Sequence, residues 1–218
     1  MPDDEVERWV RLAASQSRQV IAHCNGDAAS EQFITAMEAV QADHPDLAEQ
    51  RPVMIHAQTV RADQLDRMPG LGMTASFFCG HVYYWGDVHL RNLGPERGRF
   101  ISPARAALDR GVGITLHQDA PVTPPDMTLS LWAAVNRVSR SDRPVGLDQR
   151  ITTWEALRAV TSGAAYQYGE EGEKGRIAPG LRADLIVVSE DPLTMNPARL
   201  RELRVETTIK DGVVVYSA

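Results

Sequence analysis

His23, His56 and Asp119 are the residues of this sequence whose types and settings best suit chemistry. Each histidine ends a short apolar run: Val20-Ile21-Ala22 leads into His23, and Val53-Met54-Ile55 leads into His56. Asp119 follows Gly113-Ile114-Thr115-Leu116 by way of His117 and Gln118. Imidazole and carboxylate donors suit zinc, iron and manganese alike. Two histidines and a carboxylate make an incomplete version of a catalytic site that holds a metal on three or more protein ligands plus a water. His117 is a candidate replacement ligand. The bland alternative is that these histidines are strand-end residues satisfied by backbone partners, and that Asp119 is a turn residue before Pro121.

Such residues need elements that bring them together. In a parallel sheet buried on both faces a strand reads as a continuous apolar run, and the residues after it lie at the carboxyl edge of the sheet. The apolar stretches Gln19–His23, Val53–Ala57, Met73–Cys79 and Val112–Leu116 read as four such strands. Between them lie helical patterns. Val6, Val10 and Ala13 recur at helical spacing near the start, and Phe33, Ile34, Met37 and Val40 mark a second helix that stops before His44-Pro45. Asp27 is placed to cap that second helix. Ala62–Met68 reads as a short helix. Ser102-Pro103 reads as a helix start with Ser102 as N-cap. Asp126 caps the next helix, and Thr152-Thr153-Trp154-Glu155 is a capping box for the one after. The alternation predicts an α/β fold.

Between the third and fourth strands, His81 to Arg99 shows no clean period and reads as a long loop at the carboxyl edge. Its aromatic content predicts a lid, and His81, Trp85 and Arg97 are its candidate substrate-binding residues. After Gly169 the grammar changes. Lys174–Ile177 and Ala183–Val188 read as short strands, and Asp211-Gly212 between Val205–Ile209 and Val213–Tyr216 is a hairpin signal. The expected organisation is an α/β unit over residues 1–168 and a small all-β appendix over 169–218.

Composition narrows the function. The formal net charge of −6 with thinly spread Lys and Arg argues against nucleic acid. No apolar run reaches the length of a membrane span, the N-terminus lacks a signal-peptide pattern, and two cysteines are too few for a disulfide framework. A soluble protein of the reducing cytoplasm is expected.

The stretches HCNGDAA, RPVMIHAQTV, LGPERGR, QDAPVTPPD, TSGAAYQYG, KGRIAPGLRADLIVVSEDP and TTIKDGVVVY, in this order, resemble the carboxyl-terminal half of the amidohydrolase superfamily. The branch is amidohydrolase-3, which includes N-substituted formamide deformylase-like and "exoenzyme regulatory protein"-like members. The resemblance implies half of a (β/α)8 barrel, strands five to eight, followed by part of a β-sandwich. It implies that His23 and His56 are the metal ligands of strands five and six. Asp119 would be the strand-eight aspartate, which binds metal and takes a proton from the attacking water. The implied cofactor is a divalent metal, zinc before iron or manganese, and absent if this chain alone lacks enough ligands. The implied reaction is hydrolysis of an amide or formamide C–N bond of a small molecule by metal-activated water.

Departures from the family pattern set further expectations. The His-x-His pair of the first barrel strand is missing here. Ile55 stands where the family has Glu, and His117-Gln118 precede Asp119 where small residues are usual. A half barrel leaves sheet edges unpaired, so a homo-oligomer or a partner chain supplying the other half is expected. The second functional reading is a catalytically inactive half-barrel that serves as a binding or regulatory subunit.

Overall fold

The computed structural model describes residues 1–218. Four strands form one sheet: β1 (Ile21–Cys24), β2 (Val53–His56), β3 (Thr74–Phe77) and β4 (Gly113–Leu116). Their order is β1-β2-β3-β4 and every pairing is parallel. Parallel neighbours require a crossover, and helices supply it. They are α1 (Asp3–Ser15) before the sheet, α2 (Asp27–Gln41) after β1, α3 (Ala62–Arg67) after β2, and α4 (Gly80–Arg99) with α5 (Ala104–Asp109) after β3. Beyond β4 come α6 (Met127–Asn136), α7 (Thr153–Val160) and α8 (Ser162–Gln167). A separate antiparallel sheet, β5 (Leu185–Val188), β6 (Val205–Lys210) and β7 (Val213–Ser217), ends the chain.

Alternation along the strands sorts the two faces of the parallel sheet. Cys24, Met54, Ala75, Phe77, Ile114 and Leu116 enter the main apolar core, where Phe33, Ile34, Met37 and Val40 of α2 are also buried. The opposite face carries His23, Ile55, Ser76 and Thr115, aligned by register. The predicted apolar face of α2 therefore points where the pattern required, and the Thr152–Glu155 capping box and the Asp126 cap both form.

Several expectations are corrected. The segment 81–99 is not a loop but helix α4, broken only at Gly94 (φ 78°) before Pro95. One side of it presents His81, Trp85 and His89, spaced i, i+4 and i+8, while Val82, Leu90 and Leu93 pack with Ile101 and Val145 in a small apolar cluster on the adjoining side. Gly86 lies against Val145, where a Cβ would come within 2.8 Å of the valine methyl. Lys174–Ile177 forms no strand; it lies in a run of turns after α8 in which Lys174 N–H donates to Glu170 O. Ser102 does not cap α5. Its Oγ is buried without a partner, and the helix begins at Ala104. Asp27 is the first residue of α2 rather than its cap, with Gly26 at the cap position. Asp211-Gly212, by contrast, forms the expected hairpin turn, with positive φ at both residues.

Arg137 ties α4 and α5 to α6. Its guanidinium is fully buried and donates to the carbonyls of Val145, Gly146, Ser102, Arg99 and Ile101 at 2.8–3.2 Å. Burial pulls its pKa down to about 10, so it remains charged at neutral pH. Gly146 faces the same carbonyls at φ 63°, with Arg99 O where a Cβ would stand. Replacement of Arg137 by Met is expected to strand these carbonyls and to cost ~3 kcal/mol or more, since each buried unsatisfied group costs ~1–3 kcal/mol. Urea unfolding monitored by circular dichroism measures this, and a loss below ~1 kcal/mol would refute the clamp.

Candidate metal centre

The sheet register delivers the predicted residues to one edge. Cys24 is opposite His56, and His117 N–H continues the ladder by donating to Phe77 O at 3.0 Å. His56 would follow Met54 into the core by alternation alone. Instead it has φ 70° and Ala57 has φ 47°, which ends the strand and turns the imidazole towards the other histidines. Asp119 also has a left-handed backbone, φ 57°. Such positions in non-glycine residues cost ~1–3 kcal/mol each and gather at functional sites.

Ligand atoms of His56, His117 and Asp119 all lie within 4.8 Å of one another. His117 Nε2 is 3.3 Å from His56 Nδ1, and its Nδ1 is 3.0 Å from Ser76 Oγ, so the serine orients the ring. The His23 ring meets His56 edge-on with centroids 4.6 Å apart, yet it stays outside this close group and is exposed. The structure thus brings His56 and Asp119 together as expected, sets His23 beside them, and admits His117 as a full member. Its sequence signal was its place between strand β4 and Asp119.

Helix α4 adds two more imidazoles. His81 lies 6.2 Å from His56 and 5.4 Å from His89 between ring centroids. Five of the six histidines in the chain therefore share one site. Phe78 stacks on His117 at 5.7 Å and meets His81 at 4.9 Å, and Trp85 packs on His81 at 5.0 Å. Among the predicted substrate contacts, His81 and Trp85 enter this cluster. Arg97 instead pairs with Asp27 at 2.9 Å and lines a small cavity with Thr59, Arg61 and Phe100. His89 was missed by sequence reasoning, although its i+8 spacing from His81 was a legible signal.

Burial is the largest influence on these imidazoles. It pushes His117 down to about 4 and His81 down to about 3, and lowers His56 and His89 as well. Neighbouring imidazoles add to the effect at His81, His117 and His56, and Asp119 opposes it at His56 and His117. At neutral pH His56, His81, His89 and His117 are uncharged rings, the form in which imidazole binds metal.

A profile of the amidohydrolase family matches residues 1–216. The chain belongs to that family. It is 34% identical over 162 residues to N-substituted formamide deformylase of Arthrobacter pascens, a match covering 74% of this chain and 30% of that protein. It is 27% identical over 220 residues to the putative amidohydrolase YtcJ of Bacillus subtilis, covering 98% and 40%. An uncharacterized metal-dependent hydrolase of Pyrococcus horikoshii superposes with a TM-score of 0.77 at 25% identity, over 90% of this chain and 39% of that one. A Pyrococcus furiosus counterpart gives 0.73 at 26% identity, over 89% and 38%. This amidohydrolase chain thus spans between 30% and 40% of the length of these relatives. No helix in it is long and apolar enough to cross a membrane.

The depressed imidazoles give a pH dependence with a definite sign. Folded values below the ordinary 6.5 mean that the unfolded chain binds more protons in the window between them. Stability is then full above pH 6.5 and falls as pH drops from 6.5 towards about 4. Urea midpoints measured in chelator across that window are expected to fall, and His81→Gln and His117→Gln to flatten the slope. An unchanged slope in both variants would contradict the assignment.

Proposed function

We propose that this chain forms the metal-binding half of a hydrolase that cleaves C–N bonds, amide or formamide, in a small molecule. The observation that carries the reading is the convergence of His56, His117 and Asp119 at the carboxyl edge of a parallel sheet in an amidohydrolase chain. In this reading β1 to β4 correspond to strands five to eight of a (β/α)8 barrel, where active sites lie at the carboxyl face. Residues 169–218 are then the carboxyl part of the β-sandwich domain.

The donor set fits a divalent first-row ion. Two neutral imidazoles and one carboxylate converge, the ligand types of hydrolytic zinc sites. We assign zinc to His56, His117 and Asp119, with His23 as the additional ligand beside them, and iron or manganese as substitutes. When bound, the ion supplies Lewis acidity and lowers the pKa of a water towards ~7. The Asp119 carboxylate accepts the proton of the attacking water and returns it to the leaving nitrogen. Ser76 holds the His117 ring through Nδ1. Phe78, Trp85 and the ring face of His81 wall the substrate and exclude water, and we assign Arg97 a positioning role through its pair with Asp27.

Asp119→Asn is expected to lower kcat/KM for formamide and amide substrates by about 10²–10⁴-fold, the usual weight of a positioned acid–base group. His56→Ala is expected to remove bound metal, measured by elemental analysis. A protein that purifies without divalent metal and hydrolyses none of these substrates would leave the inactive-subunit reading standing instead.

We further propose that a second copy or a partner chain covers the free edge of β1, within a reducing compartment such as the cytoplasm. Ile21 on that edge is 47% exposed, and a groove of about 500 Å³ beside it is lined by Trp9, Val10, Ile21 and Phe33. Unpaired edges of this kind invite association. Light scattering is expected to give a mass above that of one chain, and Ile21→Lys to reduce it. A monomer at high concentration would count against this.

A further inference from the structure

Two histidines of the cluster are not used as ligands in the hydrolytic reading. His81 and His89 project from the same side of α4 two turns apart, with His81 Nδ1 and His89 Nε2 3.4 Å apart. The side-chain amide of Gln58, buried just beyond β2, lies 2.8 Å from the same His89 Nε2. A neutral imidazole offers one N–H and one lone pair. As a lone pair, His89 Nε2 can take a proton from Gln58 or from His81, but not both. As an N–H, it faces two neighbours with one proton. Hydrogen bonding among these side chains alone therefore serves one of the two contacts well and leaves the 3.4 Å contact long.

A metal ion answers that geometry. With zinc–nitrogen bonds of ~2.0–2.1 Å at a tetrahedral angle, two nitrogen donors stand about 3.3 Å apart. The His81–His89 separation of 3.4 Å matches that edge, as does the 3.3 Å between His117 and His56. A half-turn of the Gln58 amide presents its oxygen as a third donor, because amide orientation follows its partners. Phe78 and Trp85 wall the pair on the His81 side. Burial holds both rings uncharged, which keeps their lone pairs available at neutral pH.

We propose that His81, His89 and Gln58 form a second metal site, adjacent to but distinct from His56, His117 and Asp119, that takes a nitrogen-preferring divalent ion such as zinc. Calcium and magnesium are disfavoured, because they require oxygen ligands throughout. The site carries no carboxylate, so its ion is held less tightly than one bound with Asp119, and the two sites fill in sequence. The ring of His56 stands between them, 5.0 Å from His117 and 6.2 Å from His81 between centroids. This inference does not depend on the hydrolytic reading.

The test is zinc binding to the full chain after chelator treatment, followed by equilibrium dialysis and elemental analysis, with cobalt absorption as a second readout. Two ions per chain are expected, in a tight and a weak step. The double variant His81→Ala/His89→Ala should lose the weak step alone, and Asp119→Ala should weaken the tight step while the other persists. His89→Phe, which keeps a ring in place, serves if the alanine variant loses its circular dichroism. A single ion per chain whose binding does not depend on His89, two ions in the double variant, or loss of both steps together would overturn the proposal. A weak step that depends on His89 with no tight step at His56 would uphold it while refuting the metal assignment behind the proposed hydrolase.

Discussion

His23 pairs with Ile55, Ile55 with Ser76, and Ser76 with Thr115 across the parallel ladder. That unbroken register holds the strand ends level, so that whatever follows each strand meets its counterparts at one edge. A one-residue slip would send these side chains to the opposite face, since side chains alternate with a period of two. The helices packed on the Met54 and Ile114 side prevent such a slip, because it would exchange core residues for His23, Ser76 and Thr115. Core packing and site geometry are therefore one constraint.

The site departs from regular strand geometry where the chemistry is concentrated. His56, Ala57 and Asp119 hold left-handed backbones that non-glycine residues avoid, and these two turns aim an imidazole and a carboxylate at the same space. The fully buried core residues on either side, Met54 and Ala75 among them, supply the packing that holds this strain in place. Burial also keeps His56, His81, His89 and His117 uncharged, so these four rings avoid the repulsion that several imidazolium ions would create at close range.

Helix α4 closes the other side of the cluster, and its position depends on contacts far from the histidines. The Arg137 guanidinium gathers carbonyls from Arg99, Ile101 and Ser102 and joins them to Val145 and Gly146. Gly86 lets α4 approach that same segment closely. The helix that carries His81, Trp85 and His89 is thus fixed at its middle and its end, while its first turn packs on Phe78. At the far end of the chain, the segment before β6 docks on α6 through Trp132 Nε1, which donates to Ala198 O at 2.9 Å.

The sequence by itself determined the parallel strands, most of the helices and the hairpin, because continuous apolar runs, 3.6-residue apolar spacing and turn residues are local signals. It also marked His56 and Asp119 as strand-end residues with ligand chemistry. It misassigned 81–99, because histidine, aromatic and glycine residues crowd between the sparse aliphatic positions Val82, Leu90 and Leu93 and mask their helical spacing. It proposed a strand at 174–177, where the chain instead turns, held by the Lys174 N–H donating to Glu170 O. Only the tertiary structure decided that His117 joins His56 and Asp119, that His23 stands beside rather than within their group, and that His81 meets His89 and Gln58. Each of those meetings joins residues on different elements or two turns apart on one helix. It is fixed by sheet register, by left-handed turns at strand ends and by the seating of α4, which are non-local, so residue spacing can nominate these side chains but cannot show that they meet.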